Sequence, residues 1–181
     1  IGANIGLASL FFASKQNVIK VIGFEPLAGT YEKALHNIGM NPEKIKGKIQ
    51  IYHNALSNVN EDRCISFHKK ARTAFSICSG NTSQKGELIH VRDAAETLIP
   101  IFENFGNKNI VVKMDCEGSE YEVFDSLVRK GLLKKVDIFM IEFHLQDRGV
   151  IETYLAQNNF HFIKTNTADY MGFIYAFNIK K

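Results

Sequence analysis

The chain has 181 residues, 45% of them hydrophobic and 23% charged, proportions that suit one folded globular protein with a sizeable core and exclude a disordered or fibrous one. A net charge of +3 does not call for a polyanionic partner, and the basic clusters Lys44 to Lys48, His68 to Arg72 and Arg129 to Lys135 are scattered, which argues against nucleic acid. No apolar run approaches the roughly 18 residues of a membrane span and no secretory leader opens the sequence, so a cytoplasmic location is expected.

Leu7, Leu10 and Phe11 share one face of a predicted helix over Gly6 to Ser14. Val18 to Phe24 reads as a buried strand ended by Glu25 and Pro26, and the spacing of Leu27, Tyr31, Ala34, Leu35 and Ile38 predicts a second helix. A strand over Ile49 to Ala55 follows, so that strand and helix alternate as in a parallel sheet with right-handed crossovers. The pattern then breaks. Cys64 to His68 and Thr73 to Cys78 predict a hairpin turning near Lys69 to Arg72, and Ser79 to Gly86 reads as a loop. Leu88 to Val91 reads as a short strand, and Ala94, Ala95, Leu98, Ile101, Phe102 and Phe105 mark a helix. Strand Ile110 to Asp115, helix Ser119 to Lys130, strand Val136 to Phe143 and helix Val150 to Asn158 resume the alternation. Phe160 to Lys164 and Gly172 to Asn178 have no helix between them and predict an antiparallel pair at one edge. The cysteines, Cys64, Cys78 and Cys116, lack metal-ligand spacing and read as reduced thiols, although Cys64 and Cys78 could meet across the hairpin.

Residues 111 to 124, VVKMDCEGSEYEVF, place charge where a buried strand should carry none. Lys113, Asp115 and Glu117 alternate, so on a strand they share one face. An ion-paired rim would explain them, and so would a site at the carboxyl end of an α/β sheet, where such folds bind ligands. Gly2, Ala3, Asn4 and Gly6 precede the first helix, where small residues permit close backbone approach and a helix start favours an anion; the spacing is not that of the dinucleotide fingerprint, and a plain helix-start turn is the alternative. Glu25 ends the next strand, the place from which a carboxylate can hold a vicinal diol or simply face a helix dipole. Asn54 could read an adenine edge or serve a turn, and His53 reads as structural.

IGANIGLASL, VIGFEPLAGTYEKALHNI, HNALSN, VVKMDCEGSEYEVFDSL and IFMIEFH resemble, in order and over nearly the whole chain, the motifs of the FkbM-type family of S-adenosylmethionine-dependent methyltransferases. The resemblance implies an α/β class I Rossmann-like sheet, mostly parallel with an antiparallel C-terminal strand. It also implies methyl transfer, commonly to an oxygen of a small-molecule or sugar-like acceptor. By the same resemblance Gly2, Ala3, Asn4 and Gly6 line the methionine end of the cofactor, Glu25 holds the ribose, Asn54 and Ala55 flank the adenine, and Asp115 lies near the methyl group. Family members carry a further strand before the glycine turn, so the chain is expected to be a single domain over 1–181, trimmed at its start and lacking the central strand between those ending at Glu25 and Asp115. The irregular segment at about 61–87 is read as an insertion, and Cys64 to Gly86 as an acceptor lid.

An acceptor hydroxyl calls for a base. Asp115, Glu142 and His144 lie at neighbouring strand ends, and histidine titrates nearest neutrality. Each has a structural alternative: a cofactor amino contact for Asp115, pairing with Lys113 for Glu142, a surface position for His144. No metal site is assigned, although the carboxylates with His144 could bind a divalent cation. A nicotinamide-dependent oxidoreductase and a non-catalytic scaffold of the same fold remain alternatives. Neither acceptor nor oligomeric state is legible.

Overall fold

The computed structural model describes residues 1–67, 75–77, 86–144, 149–168 and 171–179. The chain divides into two compact units, one of Ile1–Ala55 with Glu61–Val91, the other of Leu56–Asn60 with Arg92–Lys181. The described strands fall into three sheets.

In the first unit, helix α1 (Leu7–Ala13) leads to strand β1 (Val21–Phe24), helix α2 (Ala28–Gly39), the short helix α3 (Glu43–Lys46) and strand β2 (Ile49–Tyr52). β1 and β2 are parallel, from Val21 opposite Ile49 to Phe24 opposite Tyr52. Because β2 starts at Ile49, Val18 to Lys20 have no ladder partner there and lie outside β1, shortening the expected strand. Ala3, Ile38 and Ile51 form the core with Leu10, Tyr31 and Ile49 against them. Gly23 is required by this packing: a Cβ there would lie 2.6 Å from Ile51 Cδ1 and 3.1 Å from the Ala3 methyl. α3 falls within the basic cluster, where Lys48 Nζ donates to the carbonyls of Ala13 and Lys15 and so closes the end of α1.

The predicted strand over Ile49 to Ala55 is two strands, because the chain bends at His53 and Asn54 before β3 (Ala55–Ser57). β4 (Glu61–Phe67), β5 (Phe75–Ile77) and β6 (Gly86–Asp93) follow. β4 pairs antiparallel with β5 through Ile65 opposite Ile77, as the hairpin reading requires, and with β6 through Cys64 opposite Leu88. β6 is longer than the expected Leu88 to Val91, since it pairs with β4 as far as Gly86. The turn at Lys69 to Arg72, Cys78 and most of Ser79 to Gly86 lie outside the described residues.

The second unit holds α4 (Ala94–Phe105), β7 (Val111–Met114), α5 (Glu120–Arg129), β8 (Ile138–His144), α6 (Gly149–Gln157), β9 (Phe160–Ala168) and β10 (Met171–Asn178). The sheet order is β7, β8, β10, β9. β7 and β8 are parallel, from Val111 opposite Ile138 to Met114 opposite Ile141. β10 is antiparallel to β8 and β9, the terminal arrangement the sequence predicts. Phe139 of β8 packs against α5 and β9, its ring centre 5.1 Å from that of Phe124 and 5.4 Å from that of Phe160. Asp93 caps α4: its carboxylate accepts from Glu96 N and Ser126 Oγ, while Ser126 Oγ accepts from Ala95 N, which ties α4 to α5.

The strand expected between those ending at Glu25 and Asp115 has no counterpart among the described residues; β1 and β7 belong to separate sheets. No described helix is long and apolar enough to cross a membrane.

Candidate active site

The glycine turn of the first unit is built on left-handed backbone. Gly2, Asn4 and Gly6 have φ of 78°, 50° and 84°, a conformation glycine tolerates and asparagine accepts more readily than most residues. This curls the turn back onto the end of β1. Gly2 N and Ala3 N both donate to Phe24 O, Asn4 N donates to Glu25 Oε2, Ile5 N to its neighbour's Asn4 Oδ1, and Gly6 N to Ala3 O. The amide hydrogens of Gly2 to Gly6 are therefore engaged by the turn itself and by the end of β1. What these residues offer a ligand is close approach over two side-chain-free positions.

Glu25 is the anchor of this arrangement. It is 5% exposed, and its second oxygen, Oε1, accepts from Leu27 N at 3.1 Å. Burial pushes the carboxyl above its usual value of 4.5, against the bonds from Leu27 and Asn4, which hold it down. Each oxygen takes one of these bonds and keeps a further lone pair, so the residue fits a diol as well as a turn. Asn54 behaves as a turn residue, its Nδ2 donating to Ala55 O, and Ala55 packs against the core of Ile65, Ile89 and Val91. His53 stacks on Tyr31, ring centres 4.7 Å apart, in the structural role expected of it.

In the second unit β7 stops at Met114, so the alternation of charges does not continue along a strand. Lys113 and Asp115 still share a side, Nζ donating to Oδ2 at 2.7 Å. Glu117 arrives differently, through a left-handed bend in which its φ is 55° and that of Gly118 is 108°. The bend gathers Asp115, Glu117 and His144, whose ligand atoms all lie within 4.8 Å of one another, a set able to hold a divalent cation. Burial, followed by the charge of Asp115, raises the Glu142 carboxyl above 4.5. Burial also raises Glu117, which His144 draws down.

His144 is buried rather than superficial, at 7% exposure. Its Nε2 lies 3.7 Å from Glu142 Oε1, and its Nδ1 lies 3.3 Å from Glu120 Oε1. Glu120, fully buried, was not singled out from the sequence, because a glutamate in a helix's first turn reads as a dipole partner. It accepts from Cys116 N at 2.8 Å and Gly118 N at 2.9 Å, binding the bend to α5. Burial, followed by the charge of this carboxylate, pushes the Cys116 thiol well up, which disfavours its thiolate. The structure thus brings together Gly2, Ala3, Asn4 and Gly6 with Glu25 in one unit, and Asp115, Glu142 and His144 in the other.

The fold is that of methyltransferases of known structure. The chain superposes on Streptococcus pneumoniae Sp1610, a provisionally assigned tRNA (m1A22) methyltransferase, with TM-score 0.55 and 11% identity, covering 99% of this chain and 63% of that one. It also matches a human methyltransferase 10 domain containing protein (TM-score 0.51, 10% identity, 100% and 70% covered) and the methyltransferase domain of bacterial CtHen1-C (0.52, 9%, 99% and 87%). No curated protein sequence matches significantly. Residues 1–165 match the family described as the methyltransferase FkbM domain, and the chain belongs to that family. It is a methyltransferase domain.

Proposed function

We propose that the chain catalyses S-adenosylmethionine-dependent methylation of an oxygen on a small-molecule or sugar-like acceptor. The observation that carries this reading is the match to the FkbM family over residues 1–165, and the bond from Asn4 N to Glu25 in the glycine turn supports it. When bound, S-adenosylmethionine supplies an electrophilic methyl group on a sulfonium. Gly2, Ala3, Asn4 and Gly6 give the cofactor close backbone approach, Glu25 accepts from its ribose hydroxyls, and Asn54 and Ala55 flank its base. On the acceptor side Lys113 holds Asp115, and His144 is the group assigned to take the hydroxyl proton. Glu142 offsets the charge this creates.

Titration calorimetry with S-adenosylhomocysteine tests the cofactor assignment. Saturable binding is expected, weakened about 10- to 100-fold by Glu25→Ala, the loss that follows from removing charged hydrogen-bond acceptors. Absence of binding to the unmodified chain would overturn the assignment.

A further inference from the structure

We infer that Glu87, carried by strand β6, is a positioning residue for the cofactor site: it fixes the start of α2 and, through it, the Glu25 carboxylate that takes the ribose hydroxyls. This rests on the cofactor reading above for its ligand, and every contact it uses lies within the first unit.

Helix α2 has no cap of its own. Its N-cap residue is Leu27, whose side chain makes no hydrogen bond, so the amides of the first turn depend on acceptors from elsewhere. Two carboxylates supply them. Glu25 Oε1 accepts from Leu27 N at 3.1 Å, and Glu87 Oε1 accepts from Ala28 N, the next amide along, at 2.6 Å. Packing holds the same place. Glu87, Ile89 and Val91 alternate along β6 and so share one face, and Leu27 packs against Ile89 and Val91 together with Ile65 of β4.

The segment from Glu25 to Ala28 is therefore held from two sides. The glycine turn reaches Glu25 Oε2 through Asn4 N, while β6 holds Leu27 by packing and Ala28 by its hydrogen bond. The arrangement sets two carboxylates against each other. Burial raises the Glu25 carboxyl, the bonds from Leu27 and Asn4 and the charge of His53 lower it, and the charge of Glu87 raises it. A short polar residue at position 27 would cap α2 without that repulsion. The carboxylate from β6 instead ties the β4–β6 ladder to the residues that orient Glu25. Without it the start of α2 is free to shift, and the Glu25 oxygen bonded to Leu27 N shifts with it.

Titration calorimetry with S-adenosylhomocysteine on the full chain, in a double-mutant cycle of Glu25→Ala and Glu87→Ala, separates positioning from plain helix capping. Glu87→Ala is expected to weaken binding about tenfold when Glu25 is present, the loss of a charged acceptor felt through its neighbour. Where Glu25 is already replaced by alanine, the further loss is expected to be less than about twofold, because Glu87 acts through Glu25. Glu87→Gln, whose amide oxygen still accepts from Ala28 N, is expected to bind within about threefold of the unmodified chain. Unaltered affinity in a folded Glu87→Ala, an equal loss in both backgrounds, or a Glu87→Gln as weak as Glu87→Ala would overturn the proposal. Should Glu87→Ala fail to fold, amide hydrogen exchange of the unmodified chain decides: protection at Ala28 that rises with S-adenosylhomocysteine supports the proposal, and exchange there that ignores the ligand overturns it. Absent binding to the unmodified chain would overturn the cofactor reading and the proposal with it, a result distinct from lost coupling in a chain that binds.

Discussion

Gly6 shows how closely a single position is prescribed. Its φ of 84° is left-handed, and a Cβ there would lie 3.4 Å from the Cα and O of Ala34. Gly6→Ala is therefore expected to destabilise the chain by about 1–2 kcal/mol, measured by urea unfolding, because the backbone penalty for a side chain in this region adds to a tight contact. A loss below the error of the measurement would mean that the turn relaxes. The glycines and Glu25 were legible in the sequence because small residues before a helix and an acid after the next strand are local patterns. Lys113 and Asp115 were legible for the same reason, since alternate residues share a side even where the strand is ending. Glu120 was not. Nothing local distinguishes a first-turn glutamate that faces water from one that faces a histidine 24 residues later in the chain.

The elements follow the periodicity of their apolar residues closely where the segments are long. α2, α4 and α5 fall within about a residue or two of their predicted ends, helped in α4 by the Asp93 and Glu96 pair that marks a capped start. Asp93→Ala is expected to cost about 1–2 kcal/mol in thermal or urea unfolding, since it removes the cap of α4 and leaves Ser126 of α5 short of an acceptor. A variant as stable as the unmodified chain would show that the cap contributes nothing. Strand ends were less legible. Val18 to Lys20 are apolar enough for a strand, but a strand ends where its neighbour does, and β2 starts opposite Val21. At the bend of His53 and Asn54 the His53 ring stacks on Tyr31 of α2, a contact that sequence spacing does not report.

For the whole molecule, pH dependence gathers contributions from distant places. Glu25, Glu117 and Glu142 all have carboxyls raised above 4.5, with burial the largest cause in each. A folded state that binds these protons more tightly than the unfolded chain gains most from them below pH about 4.5 and loses that gain as pH rises through the raised values. Glu142→Gln removes one such group. It is expected to melt higher than the unmodified chain at pH 7, with little difference at pH 4; equal shifts at both values would show that Glu142 is not strained by its surroundings.

The sequence by itself determined the family, the order of helices and strands, the antiparallel end and the identity of the glycine turn, because motifs and periodicity are written in neighbouring residues. Only the tertiary structure decided that the described strands divide into three sheets, that the turn's amides are engaged internally, and that a buried Glu120 stands behind His144. These depend on which groups from distant positions meet, and on burial, which changes what a charge costs.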